Sequence, residues 1–479
     1  MAITSASGID AAPRKQTLAS NYVDFTSSAT EGWAQQYLPD LMEKEAEVYG
    51  KRTIAGFLAQ VGAEEPSAAD RVIWSEQGRL HLAYTAKYVS GNNKYEIEND
   101  IDGNDVGTTP GLRVGDMVIM SLANATAKGY VSAVDPDGDN GAEFTVLAYG
   151  AANMATALGS TATTSELIRV LVIGSEFEKG SGARTAANAP KFKSHSNKHI
   201  ILRDYYEVSG SDASAIGWVE ISGEEGQNGY LWYLKAEGDT RARFADYLEM
   251  TMLEAETAVD GAGAIGGTDQ STSDGTQGLF QAITTRGHQT TGITGVNAAT
   301  DLAEFDAILA VFDANGAIEE NMMFVDRTTS LAIDDMLASM NSYGAGGTSY
   351  GVFENDEDMA LNLGFSGFRR GSYDFYKSDF KYLNDKGTRG GLNDTVNNIR
   401  GVVIPAGVSS VYDEQLGRNM KRPFLHVRFR ASETESRKMK TWVTGSVGAA
   451  TSGIDSMQVH YLSERCLITQ GANNFMLMN

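Results

Sequence analysis

The sequence predicts an α+β protein, and three observations predict it. Two strand-like runs more than a hundred residues apart frame a block of short strands and turns. One helical run is far longer than any other, and the final stretch, roughly 200 residues, alternates helices with strands. At 479 residues the chain is long enough for several domains with ample core.

Composition narrows the function classes. The hydrophobic fraction of 42% and charged fraction of 21% are those of a globular chain. Its 52 glycines against 8 prolines imply many turns and few rigid connections. A formal net charge of −23 argues against gripping DNA or anionic lipid through a broad basic face. The single cysteine, Cys466, excludes an internal disulfide framework and a multi-cysteine zinc site. No stretch reaches 18 apolar residues and Met1–Gln16 has no apolar signal core, so no membrane partner and a cytoplasmic product are expected.

Element by element, residues 1–29 are small and polar and should order only against a partner. From Thr30 to about Ala63, Trp33, Tyr37, Leu38, Leu41 and Met42 recur at helical spacing, and Val48, Ile54, Phe57, Leu58 and Val61 follow. Arg71–Tyr88 alternates as a strand, and His199–Val208 is its expected counterpart on a two-stranded arm. Between them, Met117–Leu122, Tyr130–Val134, Phe144–Tyr149 and Leu167–Ile173 read as strands of a small inserted β-barrel over 101–175, expected to fold alone. Glu224–Val259 is the long helix, roughly 54 Å at 1.5 Å per residue. Leu248 and Met252 lie on its apolar face and Glu249 is expected opposite them. Helices Leu302–Asn315 and Thr328–Met340 then alternate with strands Asn321–Val325, Tyr373–Tyr376, Val402–Ile404 and Phe424–Phe429.

Candidate chemistry is sparse. Gly261-x-Gly263-x-x-Gly266 matches a dinucleotide fingerprint by letter, but it follows a helix where the chemistry needs a strand. His195 and His199 are four apart without the glutamate that a helical zinc motif carries. Two acidic turns place oxygens at alternate positions, as a calcium loop does: Asp100, Asp102 and Asn104, and Asp135, Asp137 and Asp139. Both lack the sixth-position glycine and the twelfth-position glutamate, so β-turns explain them more simply. No nucleophile–base pairing emerges, so neither an enzyme nor a cofactor is expected. Charge is uneven: residues 361–440 carry 15 Lys/Arg and 8 Asp/Glu, a balance of +7, which leaves −30 elsewhere. Such complementary patches can fix register between copies of one subunit.

The order of arm, hairpin, long helix and compact α/β domain resembles the major capsid proteins of tailed bacteriophages, the HK97 fold, and is similar to those of larger, crAss-like or marine phages. Arg71–Glu76 looks like the ascending strand of the extended E-loop and Asn197–Ser211 like its return. Glu224–Val259 looks like the spine helix, and Phe305–Gly316 followed by Met322–Val325 like the helix–strand step of the axial domain.

The resemblance implies an N-terminal arm (1–67), an E-loop (68–223) that holds the inserted barrel, and a peripheral domain with the spine helix (224–300). An axial domain (301–400) and a return to the peripheral domain (401–479) complete it. It further implies hexamers and pentamers of this chain in an icosahedral shell around double-stranded DNA. Portal, decoration or auxiliary capsid proteins would be partners, in a virion capsid assembled in the host bacterial cytoplasm. An encapsulin-like nanocompartment would share the fold, and a secreted calcium-binding structural protein is a more distant alternative.

Overall fold

The computed structural model describes Leu58 and residues 63–479, apart from residues 79–80, 92, 108–109, 124, 140, 160–166, 183–191, 212–219, 223–227, 259–274, 317, 343–366, 394–397, 407, 414–417 and 446–451. The readings on residues 1–29, on the helical stretch before Ala63 apart from Leu58, and on Gly261–Gly266 lie outside the described residues. Two compact units form, one from residues up to Trp74 together with Ser196–Asn479, the other from Ser75–His195.

Strand β1 (Ala63–Ser67) is followed by β2 (Arg71–Gln77), within which the chain passes into the second unit. That unit is a closed barrel of β3 (Ala83–Ser90), β4 (Lys94–Asp100), β5 (Asp116–Leu122), β6 (Ala125–Gly138), β7 (Gly141–Ala148) and β8 (Ile168–Ser175). The strand order is β3-β4-β7-β6-β5-β8, with every neighbour antiparallel. Alternation builds its core, because every second residue points inward. Tyr84, Tyr95, Ile97, Val118, Met120, Val131, Phe144, Val146, Ile168 and Val170 meet there. A short helix α1 (Met154–Ala157) adds buried Met154, and Asn153 caps it by accepting a 2.7 Å bond from the Thr156 amide. Gly129 makes room for it: a Cβ there would lie 2.2 Å from Val146 Cγ1 and 2.3 Å from Met154 Cε.

The barrel is therefore larger than the expected 101–175. β3 and β4 complete it, since β7 and β8 would otherwise each present an unpaired edge. The expected single run Arg71–Tyr88 breaks at Gly78 into β2 and β3. The partner of β2 is β9 (Phe192–Lys198), not the run after His199.

That later run is β10 (Ile200–Ser209), which pairs antiparallel along ten residues of β22 (Ser456–Thr469) in the first unit. Asn197 anchors the change of partner. Its buried side-chain amide donates to the Leu467 carbonyl (2.7 Å) and the Gln277 carbonyl (3.0 Å), and its oxygen accepts from the Gln277 amide (2.9 Å) and Thr276 Oγ1 (3.1 Å). β22 is the spine of a five-stranded sheet with β20 (Leu425–Arg430), β21 (Lys440–Gly445) and β10, and β1 pairs parallel with β20.

A small hairpin of β11 (Glu220–Ser222) and β12 (Asn228–Tyr230) precedes the long helix α2 (Leu231–Glu254). At 24 residues, about 36 Å, α2 is shorter than the expected Glu224–Val259: Asn228–Tyr230 pair as β12 before it, and beyond Glu254 the chain leaves the helix, with Thr257 bridged to Gly275. Its C-terminal end abuts Gly278, whose amide donates to the Ala255 carbonyl at 2.8 Å; a Cβ there would fall 2.8 Å from the Ala255 backbone. The buried face is Thr240, Phe244, Leu248 and Met252, four apart, with Leu253 beside them. Phe244 and Leu248 pack on Val459 and Tyr461 of β22. Glu249 is half-buried and accepts a 3.2 Å bond from the Leu58 amide, so it does not occupy the free outer face expected of it.

The rest of this unit is layered. A six-stranded sheet runs in the order β13 (His288–Thr290), β23 (Met476–Met478), β17 (Gly401–Pro405), β14 (Glu320–Val325), β16 (Tyr373–Asp379), β15 (Gly367–Arg370). On one face, Phe305, Ile308 and Phe312 of α4 (Ala298–Asn315) and Ile333, Met336 and Leu337 of α5 (Arg327–Ser342) pack on Met323, Val325 and Phe375. On the other, Phe324, Val402, Ile404 and Leu477 meet Met252 and Leu253 of α2 and Leu279, Phe280 and Ile283 of α3 (Leu279–Arg286), with Tyr382 and Leu383 of α6 (Lys381–Asn384). β18 (Val408–Asp413) and β19 (Arg418–Pro423) form a separate hairpin. Asn297 caps α4 through bonds from the Ala299 and Thr300 amides, and left-handed Gly316 ends it.

Candidate assembly surfaces

The acidic turns lie together at one end of the barrel. β4 and β7 are antiparallel, so the residues after Asp100 fall beside the β6–β7 hairpin, where Gly138 faces Gly141. Asp100 Oδ1 accepts from the Asp102 amide (2.9 Å) and the Asn104 amide (2.8 Å), and Asn104 Nδ2 reaches its Oδ2 (3.1 Å). That is an Asx turn closed on itself. Asp135 accepts more loosely from the Asp137 amide at 3.4 Å, and Asp135, Asp137 and Asp139 are all exposed. Beside them Lys94 reaches Glu143, a carboxylate buried to 1% exposure, at 2.5 Å. The bond to Glu143 raises the Lys94 pKa, and the charges of Asp135 and Asp139 add to it. Among the described residues no group of three or more His, Cys, Asp or Glu side chains is placed to hold a metal.

His195 and His199 go to different partners. His195 Nε2 lies 3.5 Å from Glu76. His199 Nδ1 is 3.1 Å from the Asp70 carbonyl and its Nε2 is 3.8 Å from Cys466 Sγ. Burial lowers the His199 pKa and pushes the Cys466 thiol up to about 12, so this pair holds a neutral imidazole and a protonated thiol at pH 7. A thiol in that state is a poor nucleophile.

The basic segment 361–440 is drawn inward more than its charge suggested. Arg370 binds Asp306 through two bonds of 2.6 and 2.7 Å. Lys377 meets Asp334 at 2.5 Å, and Arg389 meets Glu254 at 2.9 Å. Arg428 meets Glu65 at 2.8 Å, Lys438 and Arg465 share Glu64, and Arg430 reaches Asp70. Arg370, Lys377 and Arg389 are therefore engaged by carboxylates of helices of this same chain, and Arg428 and Lys438 by Glu65 and Glu64 of β1.

What stays outward is a shelf on the β10–β22–β21 sheet, on the face away from α2. Register places Arg203 opposite Leu462, Tyr205 opposite His460, Trp442 opposite His460, and Lys440 opposite Leu462. The His460 ring stacks between Tyr205 (centroids 5.8 Å apart) and Trp442 (5.1 Å) and lies 2.8 Å from Thr444 Oγ1. Arg203 and Lys440 each sit 5.9 Å from the Trp442 ring centre. Ile201, Leu462 and Arg437 complete a shallow depression. The sequence contained a signal for it in the alternation Lys440, Trp442, Thr444. The pairing that joins Tyr205 to His460 spans 255 residues and has no local signature.

Among the described residues no helix is long and apolar enough to cross a membrane. No family model and no curated protein matches the chain. Among solved structures it is similar to the capsid of a native GTA particle, at 10% identity over 95% of this chain and 98% of that one, TM-score 0.38. A Mycobacterium phage Ogopogo structure gives 12% identity over 93% and 97%, TM-score 0.38. The capsid of the cyanophage P-SCSP1u gives 9% over 64% and 80%, TM-score 0.33.

Proposed function

We propose that this chain is the major capsid protein of a tailed bacteriophage, a structural subunit that assembles with copies of itself into a closed shell around double-stranded DNA. The order of parts carries the reading. A paired strand arm, β2 with β9, bears the barrel; a long helix packs on the sheet that gathers β1, β10 and the C-terminal strands; and a two-helix, six-stranded layer follows. In the terms of the resemblance, β2 and β9 belong to the E-loop, α2 is the spine helix, and α4, α5 and their sheet form the axial domain. The proposed divisions remain 1–67, 68–223, 224–300, 301–400 and 401–479, with the barrel enlarged to residues 83–175.

In this reading hexamers and pentamers surround symmetry axes, and an acidic wall repels the DNA backbone rather than adsorbing it. Portal and auxiliary capsid proteins are the further partners, and the role requires no cofactor and no catalysis. The barrel's carboxylate turns are not assigned a metal.

The test is mass photometry and negative-stain microscopy of the purified full chain at physiological salt. Closed particles are expected, and particles recovered from infected cells should contain double-stranded DNA. Monomers alone under crowded conditions would overturn the proposal. Particles that enclose a protein cargo and no DNA would move it to an encapsulin-like compartment.

A further inference from the structure

We propose that the outer face of the barrel formed by β7, β6, β5 and β8 is a docking surface for the same face of a second copy of this chain. The inference rests on the self-assembly reading above and names one contact within it.

A barrel strand that is wet on its outside alternates buried apolar with outward polar residues. β3 and β4 do so: Thr85, Lys87, Glu96 and Glu98 stand between buried Tyr84, Ala86, Tyr95 and Ile97, and Lys87 pairs with Glu98. Across the other four strands the outer positions form an apolar field instead. Leu147 of β7 lies opposite Tyr130 of β6, Tyr130 opposite Met117 of β5, and Met117 opposite Gly174 of β8. A Cβ at Gly174 would lie 3.3 Å from Met117 Cε, so the thioether covers that glycine. The next row sets Ile119 against Leu171, with Lys128 on its other side, and Ile173 lies between the two rows on β8. The Tyr149 hydroxyl donates to Glu176 just beyond β8. Phe177 closes the edge beside Gly115, where a Cβ would meet its ring at 3.2 Å.

The area is that of an interface. Leu147, Tyr149, Leu171, Ile173 and Phe177 each expose between 41% and 53% of their surface in the whole chain. At about 200 Å² for a large side chain they leave about 450 Å² open, and half-buried Met117, Ile119 and Tyr130 raise this to about 600 Å². The largest apolar patch on a monomer is about 300–600 Å², and a stable interface buries about 800 Å² per partner. An apolar centre of this size with a polar rim supplies that.

The rim selects a second copy. Arg169 is exposed toward one end of β8 and Glu176 is exposed beyond the other, its carboxylate fixed by the Tyr149 bond. A two-fold axis in the plane of the face, running across the strands between the two rows, sets Arg169 of each copy over Glu176 of the other. One face thus complements itself, as an isologous contact requires, with the charges setting its register.

The experiment uses the full chain, read by sedimentation and light scattering across protein concentrations. Leu171→Glu with Ile173→Glu should raise the concentration needed for assembly at least about tenfold. Lys87→Ala with Glu98→Ala, on the charged side of the barrel, should leave it within about twofold of the parent. Unchanged circular dichroism melts establish that both variants fold; if the glutamates lower the melt, Leu171→Ser with Ile173→Ser carries the same comparison. Leu171→Cys particles treated with a short bismaleimide should yield covalent dimers, and the parent, whose Cys466 is buried, should yield none.

Failure of the parent to assemble at all would count against the shell reading itself. A parent that assembles, with glutamate and serine variants that assemble equally well, would overturn the docking face alone. Lost assembly in those variants without Leu171→Cys dimers would mean that something other than the same face covers the patch, which also overturns it. Unchanged assembly with binding of neutral phosphatidylcholine vesicles, lost in the variants, would make the face a lipid contact and overturn it as well.

Discussion

The barrel's extent gives the sharpest test of how its strands hold together. Residues 101–175 contain β5 to β8 but omit β3 and β4. Removing those two strands takes Tyr84, Tyr95 and Ile97 out of the core, all at or below 5% exposure. Burial of each large side chain contributes about 1.5–3 kcal/mol, or about 5–9 kcal/mol for the three. A whole domain of about 100 residues is stable by only about 5–15 kcal/mol. The truncation also opens the barrel, leaving the outer edges of β7 and β8 unpaired. A fragment of residues 101–175 should therefore show the collapsed proton–nitrogen spectrum of an unfolded chain. A fragment of residues 76–180 should show dispersed amide peaks and a cooperative urea transition. A dispersed spectrum from the shorter fragment would refute the claim that all six strands are needed, and a collapsed spectrum from the longer one would refute an autonomous barrel.

Further outcomes follow from the other unit. Leu248→Asp or Met252→Asp buries a charge at positions of 4% and 0% exposure and should abolish soluble expression, whereas Tyr247→Asp, at 40% exposure, should express like the parent. Asn197→Ala leaves the Gln277 amide and the Leu467 carbonyl without their partner and should cost about 2–4 kcal/mol by urea unfolding; a loss under about 1 kcal/mol would show that water replaces the side chain. Cys466 should resist alkylation at pH 8 in the folded chain and react at once in urea. Because burial raises its pKa to about 12, that site's contribution to stability is complete below the unfolded thiol value near 8.5. It is then lost as pH climbs toward 12, so a fall in urea midpoint across that window, reduced in Cys466→Ala, is the check. Arg370→Ala breaks an exposed pair and should cost no more than about 1 kcal/mol in the same assay.

Local pattern carried much of the architecture. The Met117, Tyr130, Phe144 and Leu167 runs are short, apolar-rich and separated by turn residues, and each became a barrel strand with residues of one face buried. Helices α4 and α5 and strands β14, β16, β17 and β20 fall within a few residues of their expected bounds, helped by end signals such as Gly316. The failures were all of partnership. Arg71–Gln77 and Ile200–Ser209 both read as strands, but which strand each pairs with depends on Asn197 and on β22, more than 250 residues away. The long helix was overextended at both ends, into Asn228–Tyr230, which pair as β12, and past Glu254, where Thr257 bridges to Gly275. Charge counting over 361–440 located a basic segment without revealing that Glu64, Glu65, Asp306 and Glu254 would take up much of it. The shelf is a property of register across three strands, which periodicity within any one of them does not encode.

The barrel's doorway has a consequence for engineering and for sequence drift. Its entering strand β3 and leaving strand β8 are hydrogen-bonded to one another, and outside them β2 pairs with β9. The polypeptide thus goes in and comes out side by side, as a cassette does. Insertions at the far rim, such as the Leu122–Ala125 turn where Ala123 already adopts φ 46°, lengthen a loop without moving that doorway. The ten-residue pairing of β10 with β22 keeps its alignment whatever the rim carries. Peptide tags or whole binding modules grafted at that turn should be displayed without retuning the rest of the polypeptide.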